Sequence, residues 1–315
     1  MQGDLVRAAA GRIAGSVHAT PVLTSATLDA LVGARVLAKN EAPQKTGSFK
    51  ARGALNRLLT LSPEQAAQGL VAVSAGNHAA AVAWAASEIG AKATVVMPRH
   101  APAAKVAACR EYGAEVVLHG DGTGEAFAES ERLRDERGLT FVHPFDDPEV
   151  VAGQGTAALE LVAEVGPVDV WVVPVGGGGL ACGTALVVRE ANPGCRVVAV
   201  EPEGAATMSA ALAAGAPVPI VPSSVADGLC APRAGDRTFP LFRRLVDEVV
   251  TLSDEHILRG TRFVMERMKA VVEPAGAAGI AALLAGRVDG VAGRRVGTIL
   301  SGGNLDLRAV VPLLP

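Results

Sequence analysis

Thr46-Gly47-Ser48-Phe49-Lys50-Ala51-Arg52-Gly53-Ala54 is the stretch around which the chain is organised, because it sets a lysine beside an aromatic ring at the mouth of a helix. Upstream, Val36-Leu37-Ala38-Lys39-Asn40-Glu41 reads as a short strand, and downstream residues 50–59 read as a helix. A helix start carries unpaired backbone N–H groups and a partial positive potential, so an amine held there is discouraged from staying protonated. A neutral lysine amine is both nucleophile and base, which makes Lys50 the first candidate catalytic residue. Taken alone, the same lysine reads better as a solvated surface group.

Outward from this stretch the strand-to-helix alternation repeats. Ser62-Pro63-Glu64 is an N-cap followed by proline in the first turn. Strands are expected at 70–73, 93–97, 115–118 and 140–142, separated by helices at 79–89, 101–112 and 124–137. A second series follows: helix 155–165, strand 168–173, helix 180–191, strand 196–200, strand 249–251, helix 254–268 capped by Ser253, helix 276–285 and strand 296–300. Apolar runs of strand length alternating with helices predict an α/β fold of open, mostly parallel twisted sheets flanked by helices. In such sheets ligands bind beyond the C-terminal ends of the strands.

The 315 residues suit two domains of ordinary size. Half of the composition is apolar but only 3% is aromatic, and there are 36 glycines, so the core must be built from Ala, Val and Leu with closely packed backbones. A net charge of -3 without runs of like charge gives no reason to expect nucleic acid or an anionic membrane as partner. Cys109, Cys182, Cys195 and Cys230 are far apart and form no C-x-x-C pair, so neither a zinc site nor a disulfide framework is expected, and a reducing cytoplasm is the simplest location. Residues 1–15 lack the apolar core of a signal peptide. The uncharged windows 170–188 and 204–226 are interrupted by prolines and glycines and do not read as membrane spans.

Two further loops carry chemistry. Val172-Val173-Pro174-Val175-Gly176-Gly177-Gly178-Gly179-Leu180 is a strand, a glycine turn and a helix start, in which converging N–H groups and the helix potential suit a phosphate. The same residues satisfy G-x-G-x-x-A, with Glu201 about where a ribose-binding acid would fall, so a nicotinamide oxidoreductase is a competing reading. Glycines that only allow tight helix packing are the plainer alternative. Ser74-Ala75-Gly76-Asn77-His78 repeats the strand-to-helix geometry with polar side chains, and could hold a carboxylate on its N–H groups while Asn77 donates to a ligand oxygen. Its plainer alternative is a capping loop with a partly exposed histidine.

These stretches, with Lys39-Asn40-Glu41, Gln44, Ala152-Gly153-Gln154-Gly155-Thr156, Ala226-Asp227-Gly228, Val272-Glu273-Pro274 and Ser301-Gly302-Gly303-Asn304, stand in the order found in the fold-type II pyridoxal-phosphate enzymes, which the chain resembles over nearly its whole length. Within that group it looks like a catabolic-type serine/threonine dehydratase, a relative of serine racemase. The resemblance implies a tryptophan synthase β-like architecture, with residues 1–62 and 146–315 as the large cofactor-binding domain and 63–145 as a small domain contributing the Ser74–His78 substrate loop. It implies that Lys50 forms a Schiff base with pyridoxal 5'-phosphate, Phe49 packs against the ring, and Gly176, Gly177, Gly178, Gly179 and Leu180 hold the phosphate. Asn77 would hydrogen-bond the phenolic oxygen, Ser301 would meet the pyridine nitrogen with a neutral hydroxyl, and Glu273 would be a ring-side neighbour. Without an acidic partner the nitrogen is not held protonated, which weakens the electron sink and favours prompt β-elimination.

The implied reaction removes water from L-threonine or L-serine and releases a 2-oxo acid, 2-oxobutanoate or pyruvate, with ammonia. Lys50 would be the base, Ser74 and Asn77 would assist it, and Ser74, Ala75, Gly76, Asn77 and His78 would receive the substrate carboxylate. Departures from the pattern sharpen this. Racemases resembling the chain have a serine just before Gly-Asn-His, where Ala75 cannot donate a proton to the second face of Cα. The divalent-metal site of that branch would begin at Glu201 and end at an aspartate, where Thr207 stands instead, so no metal is expected, with Glu201 and the Ala205 carbonyl as weak candidates. The resemblance further implies a homodimer acting on a small amino acid, without the regulatory domain of biosynthetic threonine dehydratases. A serine or aspartate racemase, or a dehydratase for 3-hydroxyaspartate or phenylserine, remains open within the same cofactor class.

Overall fold

The computed structural model describes residues 3–315; Met1 and Gln2 of the N-terminal stretch read above lie outside the described residues. Ten strands, β1 (Val22–Leu23), β2 (Arg35–Asn40), β3 (Leu70–Val73), β4 (Ala93–Met97), β5 (Glu115–Leu118), β6 (Thr140–Phe141), β7 (Val170–Pro174), β8 (Arg196–Pro202), β9 (Glu248–Leu252) and β10 (Arg295–Leu300), form two sheets among the described residues. The larger has the order β1-β2-β10-β7-β8-β9 and the smaller β5-β4-β3-β6. Every pairing is parallel except that of β1 with β2.

The near-continuous apolar runs have the cause expected of parallel strands: both faces are covered. Successive side chains of a strand point to opposite faces. Val170, Val172, Val198 and Val200 accordingly enter one core, and Trp171, Val173, Val197 and Ala199 enter another on the opposite side of the larger sheet. In the smaller sheet Leu70, Ala72, Val95 and Met97 face one cluster while Val71 and Val96 face the other. All four strands of the smaller sheet come from residues 70–141, and those of the larger from before and after them.

Most elements lie where the pattern predicts, and the differences have local reasons. The helix expected at 155–165 begins two turns earlier, as Pro148–Val165, with Asp147 accepting the N–H groups of Glu149 and Val150 and proline in the first turn. Its glycines serve a close crossing: a Cβ at Gly155 would lie 2.6 Å from the Gly183 carbonyl oxygen of helix Gly179–Ala191. The helix expected at 254–268 is α-helical over Asp254–Phe263 and continues as a π-helical turn, Val264–Met268. Helix Pro274–Leu284 also starts before the expected residue, with proline at its first position.

Helix Lys50–Leu58 is anchored by charge as well as by apolar packing. Arg52, fully buried, makes a forked pair with the equally buried Glu41 (2.7 and 2.8 Å) and also reaches Glu160 (2.5 and 2.9 Å). Lys39, only 1% exposed, bonds Glu160 at 2.7 Å and the Thr20 carbonyl at 2.5 Å. The network joins the end of β2, helix Lys50–Leu58, helix Pro148–Val165 and the segment before β1. Among the described residues no helix is long and apolar enough to cross a membrane.

Candidate active site

Parallel pairing aligns the C-terminal ends of β2, β10 and β7 in one sheet and of β3 and β6 in the other, and the expected site loops leave from these ends. Lys50 is the first residue of its helix. Phe49 N–H donates to the Ser301 carbonyl at 3.0 Å, and Ser48 pairs with Gly302 as an isolated bridge, so the loop after β2 is stitched to the loop after β10. Ser301 itself is buried. Lys50 is half-buried, its Nζ donates to the Pro144 carbonyl at 2.7 Å, and it lies 5.2 Å from the centroid of the Phe49 ring. Burial pushes its pKa down to about 8, partly opposed by the charge of Glu273.

A titration follows from this. In cofactor-free protein, acylation of Lys50 by a brief anhydride pulse, read by mass spectrometry of its peptide, should rise through a midpoint near 8. Below that pH the amine is protonated and unreactive; above it the amine is free. A midpoint at the ordinary 10.5 would contradict the desolvated setting.

The glycine turn connects β7 to helix Gly179–Ala191. Gly178 has φ 101°, and as the residue before the helix it offers no side-chain cap to the first N–H groups. A Cβ on Gly177 would fall 2.4 Å from ring atoms of Phe145, and Thr238 Oγ1 donates to the Gly177 carbonyl at 2.7 Å. Leu180, in the first turn, is buried. A side-chain-free cradle at an uncapped helix start suits a phosphate. Pro144, which holds the Lys50 amine, is adjacent to Phe145, which lies on the cradle, so the amine and the anion site are neighbours. These donors fit a phosphorylated aldehyde.

The segment His143-Pro144-Phe145 is absent from the sequence reading. Its signal is positional: it follows β6, another parallel strand, and precedes an Asp-Pro helix start. His143 Nδ1 accepts the N–H groups of Asp146 (2.7 Å) and Phe145 (3.2 Å), and burial pushes its pKa down to about 4. His78 is buried rather than partly exposed, donates from Nε2 to the Val142 carbonyl at 2.9 Å, and is pushed down to about 3 by burial and by the Lys50 charge. Both imidazoles near Lys50 are therefore neutral around pH 7.

Helix Asn77–Glu88 begins two residues before the expected position, so Asn77 and His78 form its first turn and Gly76 precedes it without a side-chain cap. Ser74 Oγ accepts the Gly76 N–H at 3.1 Å, and Ala75 is half-buried between them. Asn77 Nδ2 donates to Glu273 Oε1 at 2.7 Å. Burial and the nearby charge of Asp227 raise the Glu273 pKa to about 7.

Glu201 does not join this group. Its carboxylate accepts the N–H groups of Met208 (2.5 Å) and Ser209 (3.0 Å) and the Ser209 hydroxyl, so it caps helix Thr207–Ala214. The Thr207 hydroxyl donates to the Ala231 carbonyl at 2.7 Å. Glu201 is thus turned away from the ribose role that the nicotinamide reading requires. Among the described residues no cluster of three or more His, Cys, Asp or Glu side chains could hold a metal ion.

Comparison with known proteins gives the family. The chain is 45% identical over 312 residues to an L-threo-3-hydroxyaspartate ammonia-lyase from a Pseudomonas species, covering 99% of this chain and 97% of that one. It is 43% identical to the L-threonine ammonia-lyase of Thermotoga maritima, over 93% of this chain and 73% of the relative. Its structure superposes on maize serine racemase with a TM-score of 0.94 at 39% identity, covering 99% and 96% of the two chains. Residues 13–302 match the family described as pyridoxal-phosphate dependent enzyme. By this match and these relatives, the chain belongs to the pyridoxal-phosphate dependent enzyme family and is a lyase of its fold type II.

Proposed function

We propose that the protein removes water from L-threonine or L-serine and releases the 2-oxo acid and ammonia. The observation that carries this reading is the Lys50 amine, half-buried, lowered to about pKa 8 and set beside the glycine cradle. Bound pyridoxal phosphate supplies an electron sink that acidifies the substrate Cα–H. Gly176 to Gly179 and the Leu180 N–H are the residues to hold its phosphate, Phe49 to pack on its ring, Asn77 to donate to the phenolic oxygen, and Ser301 to meet the ring nitrogen. Glu273 stands beside the ring. The Lys50 amine takes the Cα proton. Ser74 and the N–H groups at the start of helix Asn77–Glu88 bind the carboxylate and fix the Cα–H toward Lys50. The substrate hydroxyl leaves with a proton as water, and hydrolysis of the remaining enamine gives the 2-oxo acid and ammonia.

Ala75 supports elimination over racemisation, because a methyl group beside Ser74 and Gly76 has no proton to give to the second face of Cα. Ala75→Ser is expected to introduce measurable D-amino acid from an L-substrate, followed by chiral chromatography. Unchanged product ratios would remove this support. A second reading, L-threo-3-hydroxyaspartate as substrate, is favoured by the similarity to the Pseudomonas enzyme. Assay of 2-oxo acid release from L-serine, L-threonine, L-threo-3-hydroxyaspartate and phenylserine separates them: the reading stands if kcat/KM is highest for threonine or serine, and the second replaces it if hydroxyaspartate leads. Under the same reading the chain works as a cytoplasmic homodimer, supported by its family resemblance and by four free thiols.

A further inference from the structure

Asn77 can present either its amide N–H₂ or its oxygen toward the site, and nothing in its own backbone chooses between them. Glu273 cannot choose either: with a pKa near 7 it is a donor when protonated and an acceptor when ionised, and so accommodates both orientations. The choice comes from the other side. Asn304 Nδ2 donates to Asn77 Oδ1 at 2.7 Å and to the Thr46 carbonyl at 2.8 Å. A backbone carbonyl only accepts, so the Asn304 amide must face Thr46 with its N–H₂ group. The second hydrogen then points at Asn77 and leaves only oxygen as a partner, which turns the Asn77 N–H₂ toward Glu273, 2.7 Å away.

The backbone is bent to deliver that carbonyl. Thr46 has φ 58°, a left-handed conformation that strains a β-branched residue. Gly47 follows at φ 75°, and its carbonyl accepts the Gly303 N–H at 2.9 Å, fastening the turn to the residue before Asn304.

We propose that Asn304 is a positioning residue: fixed by the carbonyl of the strained Thr46, it sets the Asn77 carboxamide so that one hydrogen of its N–H₂ goes to Glu273 and the other is left for the ligand. This rests on the reading above that Asn77 donates to a cofactor oxygen. Asn304 needs no contact with cofactor or substrate, and acts through Asn77.

A double-mutant cycle tests it. Cofactor-stripped wild type, Asn304→Ala, Asn77→Ala and the double variant are titrated with pyridoxal phosphate, following the visible absorption band and its dissociation constant. Loss of one oriented hydrogen bond predicts affinity about tenfold weaker for Asn304→Ala in the wild-type background and changed less than about twofold in the Asn77→Ala background. Asn304→Asp, which has no hydrogen to give at neutral pH, should lose at least as much as Asn304→Ala. Equal losses in both backgrounds, or no loss at all, would overturn the role of Asn304. If wild type itself forms no borohydride-reducible band at Lys50, the cofactor reading of the site fails first; if it does and the cycle is additive, only the Asn304 proposal fails.

Discussion

Lys50→Ala is expected to lower 2-oxo acid release by roughly 10³-fold or more while leaving the fold intact. The amine is asked to act as nucleophile and as base, and removal of a positioned base alone typically costs about 10²–10⁴. Neither neighbouring imidazole is placed to take over: His78 is committed to the Val142 carbonyl and His143 to the N–H groups of Phe145 and Asp146. The fold should tolerate the change because the side chain is half-buried and its hydrogen bond is to the Pro144 carbonyl. Truncation also removes an amine that burial already disfavours as a cation, so the unfolding free energy should change by no more than about 1 kcal/mol. Retained turnover in a folded Lys50→Ala protein would mean that the base lies elsewhere.

Arg52→Met is expected to have the largest effect on stability, about 3–5 kcal/mol by denaturant unfolding. Removing the guanidinium leaves Glu41 fully buried with the Thr20 hydroxyl as its remaining side-chain partner, and leaves Glu160 with Lys39. The cost is that of the stranded carboxylate rather than of a lost attraction, since a buried pair repays little more than its own desolvation. Against a total stability of about 5–15 kcal/mol such a loss is severe. Arg52→Lys should recover only part of it, because an ammonium cannot match the forked contact to Glu41 and reach Glu160 as well. A loss below about 1 kcal/mol for Arg52→Met would show that water or a rearranged Lys39 satisfies Glu41.

The elements that the sequence predicts well share one property: their signals are local. β3, β4 and β5 match to the residue, and Ser62 caps its helix as read, with Gln65 completing the capping box. Helix Pro148–Val165 starts at an Asp147-Pro148 cap that the expected start at Gly155 passes over, and the role of Gly155 shows only once a second helix is brought against it. The Ser74–His78 stretch is read as a loop, whereas its last two residues already belong to the helix. His143, Pro144 and Phe145 escape notice because their meaning comes from contact with Lys50 and Gly177, 94 residues earlier in one case and across the two sheets in the other.

By itself the sequence determined that strands and helices alternate, that parallel sheets are buried on both faces, and which loops carry a lysine, a glycine turn and polar helix starts. Periodicity, capping and turn chemistry act over a few residues, so they can be read along the chain. Tertiary structure alone decided that Lys39 and Arg52 are interior cations in one network, that Glu201 caps its own helix, and that Asn304 reaches Asn77. Burial in the fold also pushes the pKa of Lys50 and His78 down and that of Glu273 up. Desolvation and hydrogen-bond partnership depend on groups brought close by the fold, however far apart they stand in sequence.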